Sequence, residues 1–131
     1  MDDRDRYETG LANRREVLGA AHVDRALAAN TEFVADFQDF ITRYAWGEIW
    51  DRDGLDRRTR SCITLALLTA LRAEAELGMH VKAALRNGLS PAEIGEVLLH
   101  SAIYVGVPAV NTAFGIARQA IAEFEENESA E

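Results

Sequence analysis

Cysteine is nearly absent from this sequence. Cys62 is the only one, so neither an internal disulfide nor a Cys-x-x-Cys redox pair can form. It sits in the apolar run Cys62 to Leu68, where a buried, inert thiol is expected. Proline is also scarce, with two residues. No hairpin signal and no period-2 segment is found, which argues against a sheet. No apolar run approaches the length of a membrane span. Met1-Asp2-Asp3-Arg4-Asp5 is too charged for a secretory signal, so a cytoplasmic location is expected. Positive charge is short too: 14 Lys and Arg stand against 22 Asp and Glu, a net charge of -8. Nucleic acid is thereby disfavoured as a partner, because phosphates need a basic face. An anionic small molecule is not disfavoured, since a local Arg cluster can reverse the potential in a cleft. The three histidines have no metal-ligand spacing, so no metal site is expected. There is no Gly-rich phosphate loop and no G-x-S-x-G elbow.

What is present is a mixture rich in Ala, Leu, Glu and Arg, which has high helix propensity. The length of 131 residues favours a single domain over 1–131, frayed at 1–5 and 125–131. Six or seven helices are expected. The first runs from about Arg4 to Leu18 and stops near Gly19. A short second covers about Val23 to Ala29. Thr31 caps a third that carries Phe33, Phe37, Phe40, Ile41 and Tyr44 at helical spacing and ends around Trp50. Asp56 caps a fourth, through about Leu71. The fifth runs from about Glu74 to Asn87, with Gly88 past its end. Ser90-Pro91-Ala92-Glu93 is a capping box with proline at the first helical position, and opens a sixth helix ending near Val105-Gly106. Pro108 opens the last, to about Glu125. Short connections make neighbours antiparallel. Middle helices that are apolar around much of their circumference are expected to be buried on more than one side, in the core or at a subunit contact.

Three places hold candidate chemistry. On the fifth helix, Arg72, Glu76 and His80 are spaced four apart and share a face wherever the helix is continuous. A carboxylate one turn from an imidazole can orient it for proton transfer; the alternative is a structural histidine beside a solvated glutamate. At the start of the fourth helix, Arg57, Arg58 and Arg60 crowd a terminus that already carries partial positive charge. Guanidinium forks and helix N–H groups make an anion site; the alternative is pairing with Asp51, Asp53 and Asp56 or with a neighbouring subunit. In the third helix, Arg43, Tyr44, Trp46, Glu48 and Trp50 can wall a pocket for a carboxylic acid, or form an aromatic core corner. His22 and His100 are weaker candidates.

The run Arg43-Tyr44-Ala45-Trp46-Gly47-Glu48-Ile49-Trp50, followed by Gly54-Leu55-Asp56-Arg57-Arg58-Thr59-Arg60-Ser61, resembles the carboxymuconolactone decarboxylase family. So do Val17-Leu18-Gly19 with His22-Val23, and Ile103 to Ala109 with Asn111. The likeness covers roughly Tyr7 to Glu123. It implies an all-helical fold shared with the alkylhydroperoxidase D-like proteins and a ring-like homo-oligomer, a hexamer. Peroxidase members of that superfamily carry Cys-x-x-Cys-x-x-x-His. Here Ala73 and Glu76 replace the cysteines and His80 keeps the histidine, which disfavours thiol chemistry.

The reaction implied is cofactor-free loss of carbon dioxide from a γ-lactone bearing one carboxylate on the ring and one on an acetate arm. The product is the β-ketoadipate enol-lactone, within protocatechuate breakdown. On this resemblance His80 is the general acid, and Glu48 or Glu76 orients it. Arg57, Arg58 and Arg60 supply carboxylate ligands, with Arg43 a fourth. Tyr44 and Trp46 form a dry wall. Two rival expectations are a divergent thiol-dependent peroxidase acting through Cys62 and a non-catalytic helical module that assembles with a partner.

Overall fold

The computed structural model describes residues 2–130, with side chains through residue 128. Regular structure among the described residues is helical throughout: α1 (Asp3–Leu18), α2 (Ala20–Ala28), α3 (Glu32–Ile41), a π-helical segment (Thr42–Ile49), α4 (Arg57–Ala70), α5 (Glu74–Arg86), α6 (Pro91–Val105) and α7 (Val107–Ala130). The all-α expectation holds. No helix among the described residues is long and apolar enough to cross a membrane. Met1 and Glu131, within the segments expected to fray, lie outside the described residues. The chain forms two compact units, Met1–Arg57 and Arg58–Glu131.

In the first unit, α1 starts where a carboxylate can cap it. Asp2 accepts from the Asp5 N–H at 2.8 Å, and Asp3 and Asp5 complement the positive helix start. The buried side of this unit is small: Val17, Leu18, Val23 and Trp46. Polar groups complete it. Asn13 donates to the Trp46 carbonyl at 2.9 Å and to Asp51 at 3.1 Å. Arg14 is 4% exposed and donates to Thr42 Oγ1 at 3.1 Å and Gln38 Oε1 at 3.0 Å. Burial holds its guanidinium below its ordinary pKa.

The third expected helix is corrected here. It does not run unbroken to Trp50 but changes at Thr42 to π-helical hydrogen bonding, closed by Trp50 N–H to the Ala45 carbonyl at 2.9 Å. Gly47 lies against the Arg6 carbonyl and Gly10 against the Thr42 carbonyl, with no room for a Cβ at either. The wider π turn coincides with this contact, and Trp46 and Trp50 stack with centroids 5.0 Å apart.

The second unit has the larger apolar core: Leu65 from α4, Leu77, Val81 and Ala84 from α5, Ile94 and Leu98 from α6, and Val110, Ala113, Ala117 and Ala120 from α7. These recur every three or four residues, so each helix turns one stripe inward. The helix boundaries follow their caps. Gly88 takes a φ of +99° after α5, and the Ser90–Glu93 capping box is complete in both directions. The α4–α5 turn is less ordinary. Ala73 N–H bonds to the Leu68 carbonyl and Arg72 N–H to the Thr69 carbonyl, a Schellman pattern. Its left-handed position is filled by Arg72, at φ +56°, rather than by glycine. α7 runs about a turn past the expected Glu125, to Ala130.

Candidate active site

The π-helical segment presents Arg43, Tyr44, Trp46 and Glu48 within the first unit. Their partners come mostly from α1. Arg6 Nε donates to Glu48 Oε2 at 2.9 Å, and this bond is the main reason the Arg6 pKa lies above its ordinary value. Arg43 pairs with Asp3 at 3.2 Å and with Asp39 at 3.0 Å. The Tyr44 ring lies between the Arg6 and Arg43 guanidiniums, at 5.6 and 5.3 Å, and its hydroxyl donates to Asp3 at 3.3 Å. Trp46 is buried, whereas Tyr44 is exposed. Helical spacing points to these four residues but not to Arg6, which lies 42 positions from Glu48.

The arginine turn is divided between the units. Arg57, the first residue of α4, belongs to the first unit and bonds to Glu16 at 2.7 Å and to Asn13 at 2.8 Å. Arg58 belongs to the second. Its fork donates to the Gly88 carbonyl and to Glu93, the residue that completes the α6 capping box. The Ser90 backbone N–H and then Arg58 hold the Glu93 carboxyl below the ordinary range. Arg60 is half-buried on the same helix. Arg57 and Arg58 thus bond to Glu16 and Glu93, acids distant from them in the sequence.

His80 is half-buried in the middle of α5, and Glu76 is exposed one turn before it. Both lie in the second unit with Arg58 and Arg60. Arg72 does not continue their face, because α4 ends at Ala70 and α5 begins at Glu74. The condition for the three-residue row, a continuous helix, is therefore met only by Glu76 and His80. Asn87 donates to Ser61 at 2.9 Å, tying the end of α5 to the start of α4. Seven residues, about 10 Å of helix, separate His80 from Asn87. Arg58, anchored at Gly88, therefore sits beyond the end of α5 and away from His80. His22 is half-buried on α2, and His100 is exposed on α6, 5.3 Å from the Tyr104 ring. Among the described residues, no group of three or more His, Cys, Asp or Glu is placed to hold a metal.

α5 thus sets a carboxylate one turn from a half-buried imidazole, an arrangement that can orient a ring for proton transfer. The chain belongs to the carboxymuconolactone decarboxylase family, which matches it over residues 35–119. Among its relatives is a 4-carboxymuconolactone decarboxylase of Acinetobacter baylyi, 49% identical over 119 residues, covering 91% of this chain and 89% of the relative. A nitrosuccinic acid decarboxylase of Metarhizium robertsii is 40% identical over 115 residues, 88% of this chain and 80% of that protein. A 4-carboxymuconolactone decarboxylase of Pseudomonas putida is 50% identical over 48 residues, 37% of this chain and 100% of the relative's sequence.

Proposed function

We propose that this chain is a carboxy-lyase that converts 4-carboxymuconolactone to the β-ketoadipate enol-lactone and carbon dioxide in aromatic degradation. The observation that carries this reading is the 49% identity, over nine-tenths of both chains, to the Acinetobacter relative of that name. The substrate's chemistry makes a cofactor unnecessary. The leaving carboxylate sits on a ring carbon conjugated through a double bond to the lactone carbonyl. When the C–C bond breaks, its electron pair passes into that carbonyl and carbon dioxide departs. The resulting dienolate takes one proton at the carbon next to the carbonyl.

The protein's tasks are then to hold a dianion, stabilise an oxyanion and deliver a proton. In this proposal His80 is the general acid. Glu76 orients it, because both stand on α5; Glu48, bonded to Arg6, is the second candidate. Arg60 binds the acetate carboxylate, with Arg58, Arg57 and Arg43 in lesser roles since their forks hold Gly88, Glu93, Glu16, Asn13, Asp3 and Asp39. Tyr44 and Trp46 wall the leaving group. Tight binding belongs on the acetate arm and the oxyanion, because gripping the leaving carboxylate would stabilise the ground state.

The two units act together as one family domain over residues 1–131, in a cytoplasmic homo-oligomer that closes as a ring of six. Exposed apolar residues on α4 (Ile63, Leu67), just past its end (Leu71) and on α6 (Leu99, Ile103) support self-association. A thiol-peroxidase reading is not favoured, because Ala73 and Glu76 stand where the thiols would be. A non-catalytic module is not favoured either, given two long matches to proteins named as decarboxylases.

A second substrate deserves a direct comparison. Nitrosuccinic acid is also a dicarboxylic acid, and its nitro group provides an electron sink beside the leaving carboxylate. Purified protein is assayed against both acids, with and without a chelator. The lactone is expected to give the higher kcat/KM, unchanged by chelation. A kcat/KM higher for nitrosuccinate reassigns the substrate, and turnover of neither acid removes the proposal.

A further inference from the structure

α3 is amphipathic and buries none of its residues. Phe33, Phe37 and Phe40 are 95%, 61% and 54% exposed. Spaced four and three apart, they form one stripe about 10 Å long. A single exposed aromatic needs no explanation, but three on one face of one helix mark a contact surface. Asp36 flanks the stripe. It is exposed and has no ion pair among the described residues, and α3 carries no basic residue.

The second unit holds a surface of complementary form. A groove of about 520 Å³ runs between α6 and α7, floored by Ile94, Leu98 and Ala117. Gly95 and Gly115 line it. A Cβ at either would meet nothing within 4 Å, so packing inside the chain does not require these glycines. Helix interiors disfavour glycine, so two of them along one groove keep space open for something outside the chain. Arg118 stands on the groove wall, exposed, with no ion pair among the described residues.

We propose that α3 of one copy seats in the α6–α7 groove of a second copy. Phe33, Phe37 and Phe40 lie on the apolar floor, and Asp36 faces Arg118. This is helix-in-groove recognition, with anchors at successive turns and a charge pair that sets the register. Donor stripe and acceptor groove are different surfaces, so every copy offers both, and such a contact builds a ring when its rotation closes. The inference rests on the self-association part of the proposed function and is independent of the reaction.

The experiment measures mass in solution by light scattering across a dilution series, with helical circular dichroism as the check of fold. Wild type is expected to assemble. Phe37→Asp removes the central anchor. Gly115→Leu fills the groove with a residue that favours the helix. Each is expected to weaken association at least about tenfold while helicity is kept. Arg118→Glu weakens it as well, and Asp36→Arg combined with Arg118→Glu restores it toward wild type. The proposal is overturned by a monomeric wild type, or by assembly unchanged in both Phe37→Asp and Gly115→Leu. It is equally overturned if the reversed pair associates no better than Arg118→Glu alone. A wild type that assembles but fails to release carbon dioxide, while the variants dissociate, supports the interface and removes only the reaction.

Discussion

Gly47 packs directly on the carbonyl oxygen of Arg6, backbone against backbone. Gly10 makes the reciprocal contact with the Thr42 carbonyl, so α1 and the π-helical segment are locked by two glycines. No flexible side chain is available to yield at either point. Gly47→Ala and Gly10→Ala are each expected to lower stability by about 3 kcal/mol, the upper part of the range for overpacking. Gly54→Ala, which meets open space, is the control and shifts stability little. Urea unfolding of the three variants measures the difference; equal midpoints would show that the contact relaxes at no cost.

His80 carries the proton in the proposed reaction, so His80→Gln is expected to lower kcat by about 100-fold or more, within the usual range for a general acid. Glu76→Gln, acting through His80, is expected to cost less and to shift the pH profile of kcat. Steady-state turnover of the lactone decides between the roles. Full activity in His80→Gln removes the imidazole from the chemistry. Full activity in Glu76→Gln with a loss in Glu48→Gln transfers the orienting role to Glu48.

Much of the fold was legible because helix ends are written locally. Gly19, Gly88 and Ser90-Pro91-Ala92-Glu93 mark boundaries within a few residues of where they fall. The π-helical segment was not legible, because neither its wider turn nor the contact of Gly47 with α1 leaves a period in the sequence. The candidate site was legible by residue type more than by partner. His80 and Glu76 remain one turn apart on α5, as spacing predicted. Arg58, by contrast, was read with its sequence neighbours, yet its partners are Gly88 and Glu93, 30 and 35 residues away. Arg72 falls in the α4–α5 break, as the expected helix ends at Leu71 and Glu74 imply.

The Arg58 clamp has a consequence in acid. The Ser90 backbone N–H and Arg58 both favour the ionised form of Glu93, so its folded pKa lies below the ordinary value of 4.5. A carboxylate depressed in this way adds stability that is fully present above its unfolded pKa and is lost as pH falls through the folded one. Glu93→Gln is therefore expected to melt below wild type at pH 7, with the gap narrowing as pH falls below about 4.5. Arg58→Ala is expected to cost about 1 kcal/mol, as befits a partly exposed ion pair, and to change KM less than Arg60→Ala does. Melting curves across pH, with KM for both arginine variants, check this. A large KM change in Arg58→Ala at unchanged stability makes Arg58 a substrate ligand rather than a clamp.

Arg72 occupies a backbone position that glycine would fill without strain. A non-glycine residue in the left-handed region costs roughly 1–2 kcal/mol, partly offset because glycine gains more freedom when unfolded. Arg72→Gly keeps both hydrogen bonds of the α4–α5 turn, since they are made by backbone groups. It is expected to raise stability by about 0.5–1 kcal/mol, whereas Arg72→Ala, which keeps the strain, is expected to change it little. The pair separates backbone from side chain, and kinetics on the same proteins tests whether the side chain is used. If turnover is unchanged in both, the arginine is a tolerated occupant of the turn. If KM rises equally in both while only the glycine variant gains stability, the guanidinium reaches the anionic substrate and the strain is retained for that contact.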